Sequence, residues 1–537
     1  MGNPDNRRKW LQQGLDFLLE FKWFIVLLFF KFLVCDVMKV PTGSMEPTLA
    51  GHPDHGDRIF VNELAYEPIW KVIVVLATFL LLLGGAWLHG RTRREWRLRF
   101  SIPVLAAIVL TIGFCAAHSS FADEPQRFDI AVFTHESAWD NPNEPNAKIN
   151  YVKRVAGLPG ETVCISGGDL FRLNPTTEKY EILRKADRPD LQDALWQPVS
   201  KAWPQTFHTQ LSSADRARLD FPWTGAEPGT AGVTLGARSV ELDGSAPVTL
   251  TYAYPVTNLM VKPGRWPFQH INCPAGNSPG MTACVTATCD GIQCPRCHAL
   301  MFPATTTPIA GAALKPLETS ETGSYFCGGD SVVGDLKLEV ALLVENAGGA
   351  VRLDVGSDLH CASWEIPSTE VRADTAIVHP VTAATAALTP GKHALSLAYV
   401  DATVIALLDG KEIERRAINV EPPGKLADHL QSLARITLSG VRGTITRLEL
   451  ARDLYYLPMV SNYRTNPNAG ISEREHNKRF FEDGMMVLQI PQEEYLMLGD
   501  NSPSSADGRI WGFVPRDHFS GRASAILWPP SRWGVLH

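Results

Sequence analysis

The chain has 537 residues, enough for two or three domains, and a formal net charge of −7 from 50 basic and 57 acidic side chains. No long basic stripe runs through it, which argues against a nucleic-acid partner. Its apolar residues are unevenly spread: three dense runs end by Ala117 and a mixed, Gly- and Pro-rich remainder follows, which reads as a membrane end and a soluble body.

The first apolar stretch runs from Leu15 to Val37, is densest from Trp23 to Val34, and follows Arg7, Arg8 and Lys9. Roughly 20 residues cross the hydrocarbon of a bilayer. The charges at Asp16, Glu20, Lys22, Lys31 and Asp36 must therefore snorkel or line a polar face. No small-x-small cleavage site follows, so the expectation is an uncleaved anchor over residues 1–39. The runs Ile69 to Leu88 and Ile102 to Ala117 are joined by a short loop carrying Arg91, Arg93, Arg94, Arg97 and Arg99, which the positive-inside rule places in the cytoplasm. A transmembrane hairpin over 69–118 would return the chain to the side it left. The stretches 40–68 and 119–165 would then meet on the outer face.

Three later stretches carry chemistry. Directly after the first apolar run comes Pro41-Thr42-Gly43-Ser44-Met45-Glu46-Pro47-Thr48-Leu49, a Pro-bounded loop that exposes a serine. The second is Tyr151-Val152-Lys153-Arg154-Val155-Ala156-Gly157-Leu158-Pro159-Gly160. The third is Gly499-Asp500-Asn501-Ser502-Pro503-Ser504-Ser505-Ala506-Asp507-Gly508-Arg509-Ile510-Trp511-Gly512. A serine hydroxyl is a weak nucleophile until a neighbouring base takes its proton, and a lysine is that base only when neutral. Bringing a lysine from about 10.4 to near 7 asks its surroundings for about 4 to 5 kcal/mol, which apolar burial supplies. Read as a strand, the second stretch puts Tyr151 and Val155 on the face of Lys153 and points Val152 and Arg154 the other way. The adjacent Arg154 would also disfavour a second positive charge. An isolated Tyr-Val-Lys-Arg would be a solvated strand; the other two stretches reverse that preference.

In order and wording, the three stretches together resemble the signature boxes of type I signal peptidases, the membrane-bound Ser/Lys proteases that remove signal peptides from exported proteins. The resemblance covers about a third of the chain. It implies Ser44 as the acyl-forming nucleophile and Lys153 as the general base. The Ser44 backbone N–H and the Thr42 hydroxyl match the oxyanion donors, Ser505 the serine that orients the lysine, and Gly499 the glycine that leaves room beside it. Asp507 and Arg509 match the buried acid and base that brace that wall. The family more often has serine at the place of Thr42, and its Asn-Ser-x-Asp-Ser-Arg run shows Ser504 and Gly508 here at the first and fifth places. The resemblance implies secretory preproteins as substrates, the lipid bilayer as a partner, a multi-pass position in the cytoplasmic (inner) membrane with the active site on the extracytoplasmic side, and no metal or organic cofactor. The hairpin is a departure, because the family joins strands like Gly56–Asn62 and Asp129–Phe133 through a soluble loop. The rival expectation is a catalytically inactive membrane-anchored scaffold that displays a binding domain.

Residues 166–320 read as an irregular insert. Its one chemical cluster is Cys273, Cys284, Cys289, Cys294 and Cys297, whose spacing suits disulfides in an exported region or a structural zinc. From 321 to 456 the pattern alternates. Leu336, Leu338, Val340, Leu342 and Val344 share one face, with Asp335, Lys337 and Glu339 opposite; Val351, Leu353 and Val355 repeat the scheme, as do Leu395, Leu397 and Tyr399. Asp409-Gly410 marks a hairpin turn. This stretch looks like a concanavalin- or laminin-G-like jelly-roll β-sandwich, with a glycan or protein as a candidate ligand. Residues 457–484 read as a linker, and 485–537 resume the peptidase. The expected fold is mostly β: a signal-peptidase-like catalytic domain with an N-terminal transmembrane helix, interrupted by the membrane hairpin and the sandwich.

Overall fold

The computed structural model describes residues 35–52, 56–67, 124–136, 148–201, 221, 223–226, 229–236, 239–252, 259–261, 269–270, 325–327, 334–357, 359–366, 370–373, 377–380, 388–424, 432–458, 479–482, 485–502 and 505–537. The membrane hairpin 69–118, the anchor up to residue 34 and the cluster Cys273, Cys284, Cys289, Cys294 and Cys297 lie outside the described residues. Among the described residues no helix is long and apolar enough to cross a membrane.

The fold is mostly β, and four of its sheets bear on the site. The first is built from β1 (Cys35–Lys39), β2 (Arg58–Asn62), β3 (Ile130–Glu136), β4 (Lys148–Gly157) and four strands near the C-terminus, of which Gly534–Val535 pairs only with Phe519–Trp528. Its order is β1, β2, Phe519–Trp528, β3, β4, Glu494–Leu498, Phe513–Pro515, with every neighbour antiparallel. Pairing of β3 with β4 sets Ala131 opposite Lys153. One expected boundary moves. Cys35–Lys39 is not the end of an anchor but an edge strand, in register with β2 from Cys35↔Asn62 to Lys39↔Arg58. Hydrophobicity alone hid this, because a short strand at the end of a long apolar run carries no break of its own.

A second, smaller sheet runs Arg479–Glu482, Met485–Gln489, β5 (Thr162–Ser166), β6 (Asp169–Leu173) and β7 (Tyr180–Ile182). It carries the chain from β4 into the first part of the insert, and its strand Arg479–Glu482 lies inside 457–484, the stretch expected to be a linker.

Apart from a three-stranded sheet of Leu259–Val261, Gln269–His270 and Tyr325–Cys327, the remaining strands form two large antiparallel sheets over one apolar core, in which Leu336, Leu338 and Val340 from one sheet meet Val351, Leu353 and Trp364 from the other. The alternation read from the sequence is the alternation observed: in Leu336–Val344 every second side chain is buried. Asp409 and Gly410 both take positive φ, 52° and 78°, at the tip of the expected hairpin. Two expectations change. Asp335 does not join Lys337 and Glu339 on the outer face but is buried, just before the strand begins. The stretch expected to be irregular also supplies strands: Gln197–Lys201 and Val240–Asp243 pair with Arg442–Arg452, and Val248–Tyr252 pairs with Ser432–Ser439. Its alternation was present in Val240, Leu242, Val248, Leu250 and Tyr252, all buried, but the Gly and Ser turns between them kept each run too short to read.

The two-sheet unit is seated on the small sheet by apolar contact. Cys164, Phe171, Ile182 and Val487 cluster with Ala402, and Ile418 and Val420 pack against them. Beside this patch lies a buried ionic nest. Lys185 is 2% exposed and binds the carboxylates of Asp401 and, at 3.0 Å, Asp453. The Asp169, Asp335 and Asp401 carboxylate oxygens lie within 4.8 Å of one another there.

Candidate active site

The serine loop is pinned from below by side chains and from the side by a neighbouring strand end. Val40, Met45 and Leu49 sink into an apolar cluster with Ile59, Val61, Ile130 and Val132, and Gly43–Met45 forms one 3₁₀ turn. The loop is closed at its far end by Gly51, where a Cβ would stand 1.7 Å from the Thr42 carbonyl oxygen. Asn501 then clamps the turn itself: its backbone N–H donates to the Ser44 carbonyl at 3.0 Å and its side-chain amide to the Gly43 carbonyl at 2.9 Å. The result is a half-buried Ser44 whose hydroxyl faces the sheet and an exposed Thr42 whose hydroxyl lies 3.5 Å from it.

Strand β4 delivers the amine. Lys153 is 2% exposed, and its Nζ donates to the Ser44 Oγ at 2.5 Å and to the Ser505 Oγ at 3.1 Å. Its face neighbours fulfil the expected alternation, since Val155 belongs to the apolar cluster of Phe133, Met497 and Trp511, and Tyr151 packs against it. Arg154, on the opposite face, does not act as an unpaired positive neighbour. It makes a two-pronged, fully buried contact with Asp500, Nε to Oδ1 at 2.9 Å and Nη2 to Oδ2 at 2.7 Å. Burial pulls the guanidinium down, and the Asp500 carboxylate more than offsets this, so Arg154 sits above its ordinary value as a paired cation. Asp500 Oδ2 also accepts from the Thr48 hydroxyl at 2.6 Å. One carboxylate thus ties the lysine strand to the serine loop.

The third stretch builds the wall behind the amine. Ser505 is fully buried. A Cβ on Gly499 would lie 2.0 Å from the Ser505 Oγ and 2.5 Å from the Ser44 carbonyl oxygen, so only glycine lets the two approach. Asp507 accepts the Gly499 N–H at 3.0 Å and caps the short helix Gly508–Trp511 by accepting the Arg509 N–H at 3.1 Å. Its carboxylate also takes Nε and Nη2 of Arg509 at 2.9 and 2.7 Å. Burial alone would raise the Asp507 carboxyl; the Arg509 guanidinium reverses that and holds it below the ordinary value.

The seven residues singled out from the sequence, Thr42, Ser44, Lys153, Gly499, Ser505, Asp507 and Arg509, therefore converge on one place. Sequence reasoning missed Asp500, Asn501, Thr48 and Ser502. Asp500 and Asn501 stand directly after Gly499 in the third stretch, and two polar residues between a strand end and a serine were a usable sign. Ser502, fully buried, gave none.

The profile of the family described as signal peptidase, peptidase S26, matches residues 16–208 and 449–528. The chain belongs to that family. The match skips 209–448, which holds most of the two-sheet unit, and takes in all three chemical stretches. Signal peptidase I of Pseudomonas aeruginosa is 35% identical over 140 residues, 26% of this chain and 30% of that protein. Signal peptidase I of Pseudomonas fluorescens is 31% identical over the same shares, and probable signal peptidase I-2 of Synechocystis is 47% identical over 49 residues, 9% of this chain and 22% of that protein. The chain thus spans about a third or less of the length of these relatives. Among solved structures, sheep galectin-11 overlays 22% of this chain and 92% of its own at 10% identity, with a TM-score of 0.17, too low to argue from.

Proposed function

We propose that this protein is a type I signal peptidase that cleaves exported preproteins through an ester on Ser44. The observation that carries the reading is the 2.5 Å contact between the Ser44 hydroxyl and the amine of Lys153, a side chain only 2% exposed beside an apolar cluster. A neutral Lys153 takes the hydroxyl proton as Ser44 attacks the scissile carbonyl. The Ser44 N–H and the Thr42 hydroxyl are assigned to the oxyanion of the tetrahedral intermediate. The protonated amine then returns its proton to the leaving nitrogen, and water repeats the cycle on the ester. Ser505 fixes the amine along the attack line, and Gly499, Asp507 and Arg509 hold Ser505. No step calls for a metal or organic cofactor. The inactive-scaffold alternative would need a decayed site, and none of the seven residues is lost.

The same reading puts the site at a membrane surface, with the anchor and the hairpin 69–118 crossing the inner membrane and the chemistry outside. An apolar rim supports it: Trp528 and Trp533 are 54% and 68% exposed, with Leu527, Val535 and Val37 exposed beside them on adjoining strands. Indole rings favour the bilayer interface. Trp511, by contrast, is core. We further read the two-sheet unit as an inserted jelly-roll sandwich that the peptidase displays, with a glycan or protein as its ligand.

The decisive experiment incubates purified full-length protein with a preprotein reporter in detergent or vesicles. Wild type should release the signal peptide, and Ser44→Ala and Lys153→Ala should each lower the rate by at least about a thousandfold. Equal turnover in wild type and both variants would remove the assignment.

A further inference from the structure

The strand that leaves the two-sheet unit, Arg442–Arg452, is followed by five residues, three of which, Asp453, Tyr456 and Leu457, donate or accept hydrogen bonds within the protein. Asp453 comes first. It is fully buried, its N–H donates to the Asp335 carbonyl at 3.0 Å, and its carboxylate is held by Lys185 at 3.0 Å and by the Gln192 side-chain amide at 2.8 Å. Tyr456 bridges to Gly168, donating its N–H to that carbonyl at 2.8 Å, and packs its ring among Leu454, Leu488, Leu496 and Leu498.

Leu457 then enters the catalytic wall through its backbone. Its N–H donates to the Ser502 Oγ at 2.8 Å, and its carbonyl accepts from the Arg509 Nη1 at 2.9 Å. Ser502 closes the triangle: its Oγ accepts from the same Nη1 at 2.7 Å and its carbonyl from Nη2 at 2.8 Å. Arg509 holds Asp507, Asp507 holds the Gly499 N–H, and Gly499 abuts Ser505. A linker that only connected two bodies would leave these backbone groups to water. Here the carbonyl of one backbone residue completes the shell of the arginine that braces the lysine wall, and its N–H holds the serine that shares that arginine.

We infer that Asp453–Leu457 is a strut through which the two-sheet unit positions the Ser505 hydroxyl against Lys153, with Leu457 and Ser502 as positioning residues for the proteolytic step. This rests on the peptidase reading above. The strut acts on the geometry of the dyad and not on substrate binding, so loosening it lowers kcat and leaves KM in place. Anchorage at the far end matters as well, because Asp453 is fixed by groups from the segment between the small sheet and the two-sheet unit.

The test compares full-length wild type with Ser502→Ala, Leu457→Pro, which deletes the donating N–H, and Gln192→Leu, which removes one hold on Asp453. Reporter cleavage gives kcat and KM across pH. Independently, competitive amine acylation read by mass spectrometry gives the pH midpoint of Lys153, a readout that needs no turnover. In folded Ser502→Ala, kcat should fall about tenfold with KM within about twofold, and the Lys153 midpoint should move together with the acidic limb of the kcat profile. Gln192→Leu should move both in the same direction by less. An unchanged kcat and midpoint in folded Ser502→Ala overturns the strut, as does a rise in KM alone; if Leu457→Pro does not fold, the other two variants decide. A wild type that leaves the reporter intact while the variants shift the Lys153 midpoint would instead sink the peptidase reading and keep the strut.

Discussion

Two lysines of this protein are buried to the same degree in contrasting surroundings. Lys185 and Lys153 are each 2% exposed. Lys185 sits at the seat of the two-sheet unit among Asp401, Asp453, Asp169 and Asp335; burial pulls its amine down, and the four carboxylates more than offset this, leaving it well above its ordinary value. It is a fixed cation. Lys153 lies between two hydroxyls, those of Ser44 and Ser505, with the Asp507 carboxylate close enough to feel its charge. Burial alone thus says little about a lysine's role: carboxylates in direct contact make Lys185 a clamp, whereas the hydroxyls around Lys153 suit the base that the proposed function assigns to it.

The comparison breaks most sharply by replacing each lysine with methionine, a side chain of similar length. Lys153→Met should reduce reporter cleavage by about 10⁴-fold while leaving the melting temperature unchanged or higher, since a buried amine gives way to an apolar group. A melting temperature that collapses along with activity would mean that Lys153, too, is structural. The next largest effect falls on its wall. Gly499→Ala drives a Cβ into the Ser505 hydroxyl and the Ser44 carbonyl, and since the latter is backbone the dyad must part. A loss of about a hundredfold in kcat is expected, and a kcat within a factor of about two of wild type would show that the wall need not touch the serine loop.

Lys185→Met should do the reverse. Removing the cation strands buried carboxylates and should destabilise the fold by about 3–5 kcal/mol, measured as a drop in the denaturant midpoint of the full chain. An unchanged midpoint would mean that the nest is neutralised some other way.

How much of this contrast was legible beforehand depended on how local each arrangement is. Ser44, Lys153, Ser505 and their supports lie in three short stretches with their own wording, so the sequence placed them together before any coordinates. Lys185 was invisible, because its partners Asp401 and Asp453 lie more than two hundred residues away in sequence and nothing near Lys185 announces them. The strands of the two-sheet unit split in the same way. Leu336–Val344 alternates over nine residues and was read; Val240–Asp243, with four, was not. Arg154 shows a third limit: its place on the face opposite Lys153 followed from strand geometry, but its neutralising partner Asp500 came from a distant loop.

The smallest effect concerns protons at the Lys185 nest. The Asp169 carboxyl is pushed up to about 7, by burial first and then by the Asp401 charge, and Asp453, chiefly through burial, is pushed up to about 6. An unfolded chain releases these protons near the ordinary 3.8. Between that value and the raised ones the native state binds more protons than the unfolded state, so stability should fall as pH rises through this window, and Asp335, held well above the ordinary value by burial and then by the Asp169 charge, adds to the fall. Asp507 has the opposite sign: held below its ordinary value, it contributes stability above that value and loses it only in stronger acid, outside the window. The melting temperature should therefore drop by a few degrees from about pH 5 to about pH 7.5, and the slope should flatten in Asp169→Asn, which carries no charge to suppress. A wild-type curve that rises over the same range, or one that keeps its slope in Asp169→Asn, would mean that the four carboxylates are solvated and that Lys185 is no more a clamp than a surface ion pair.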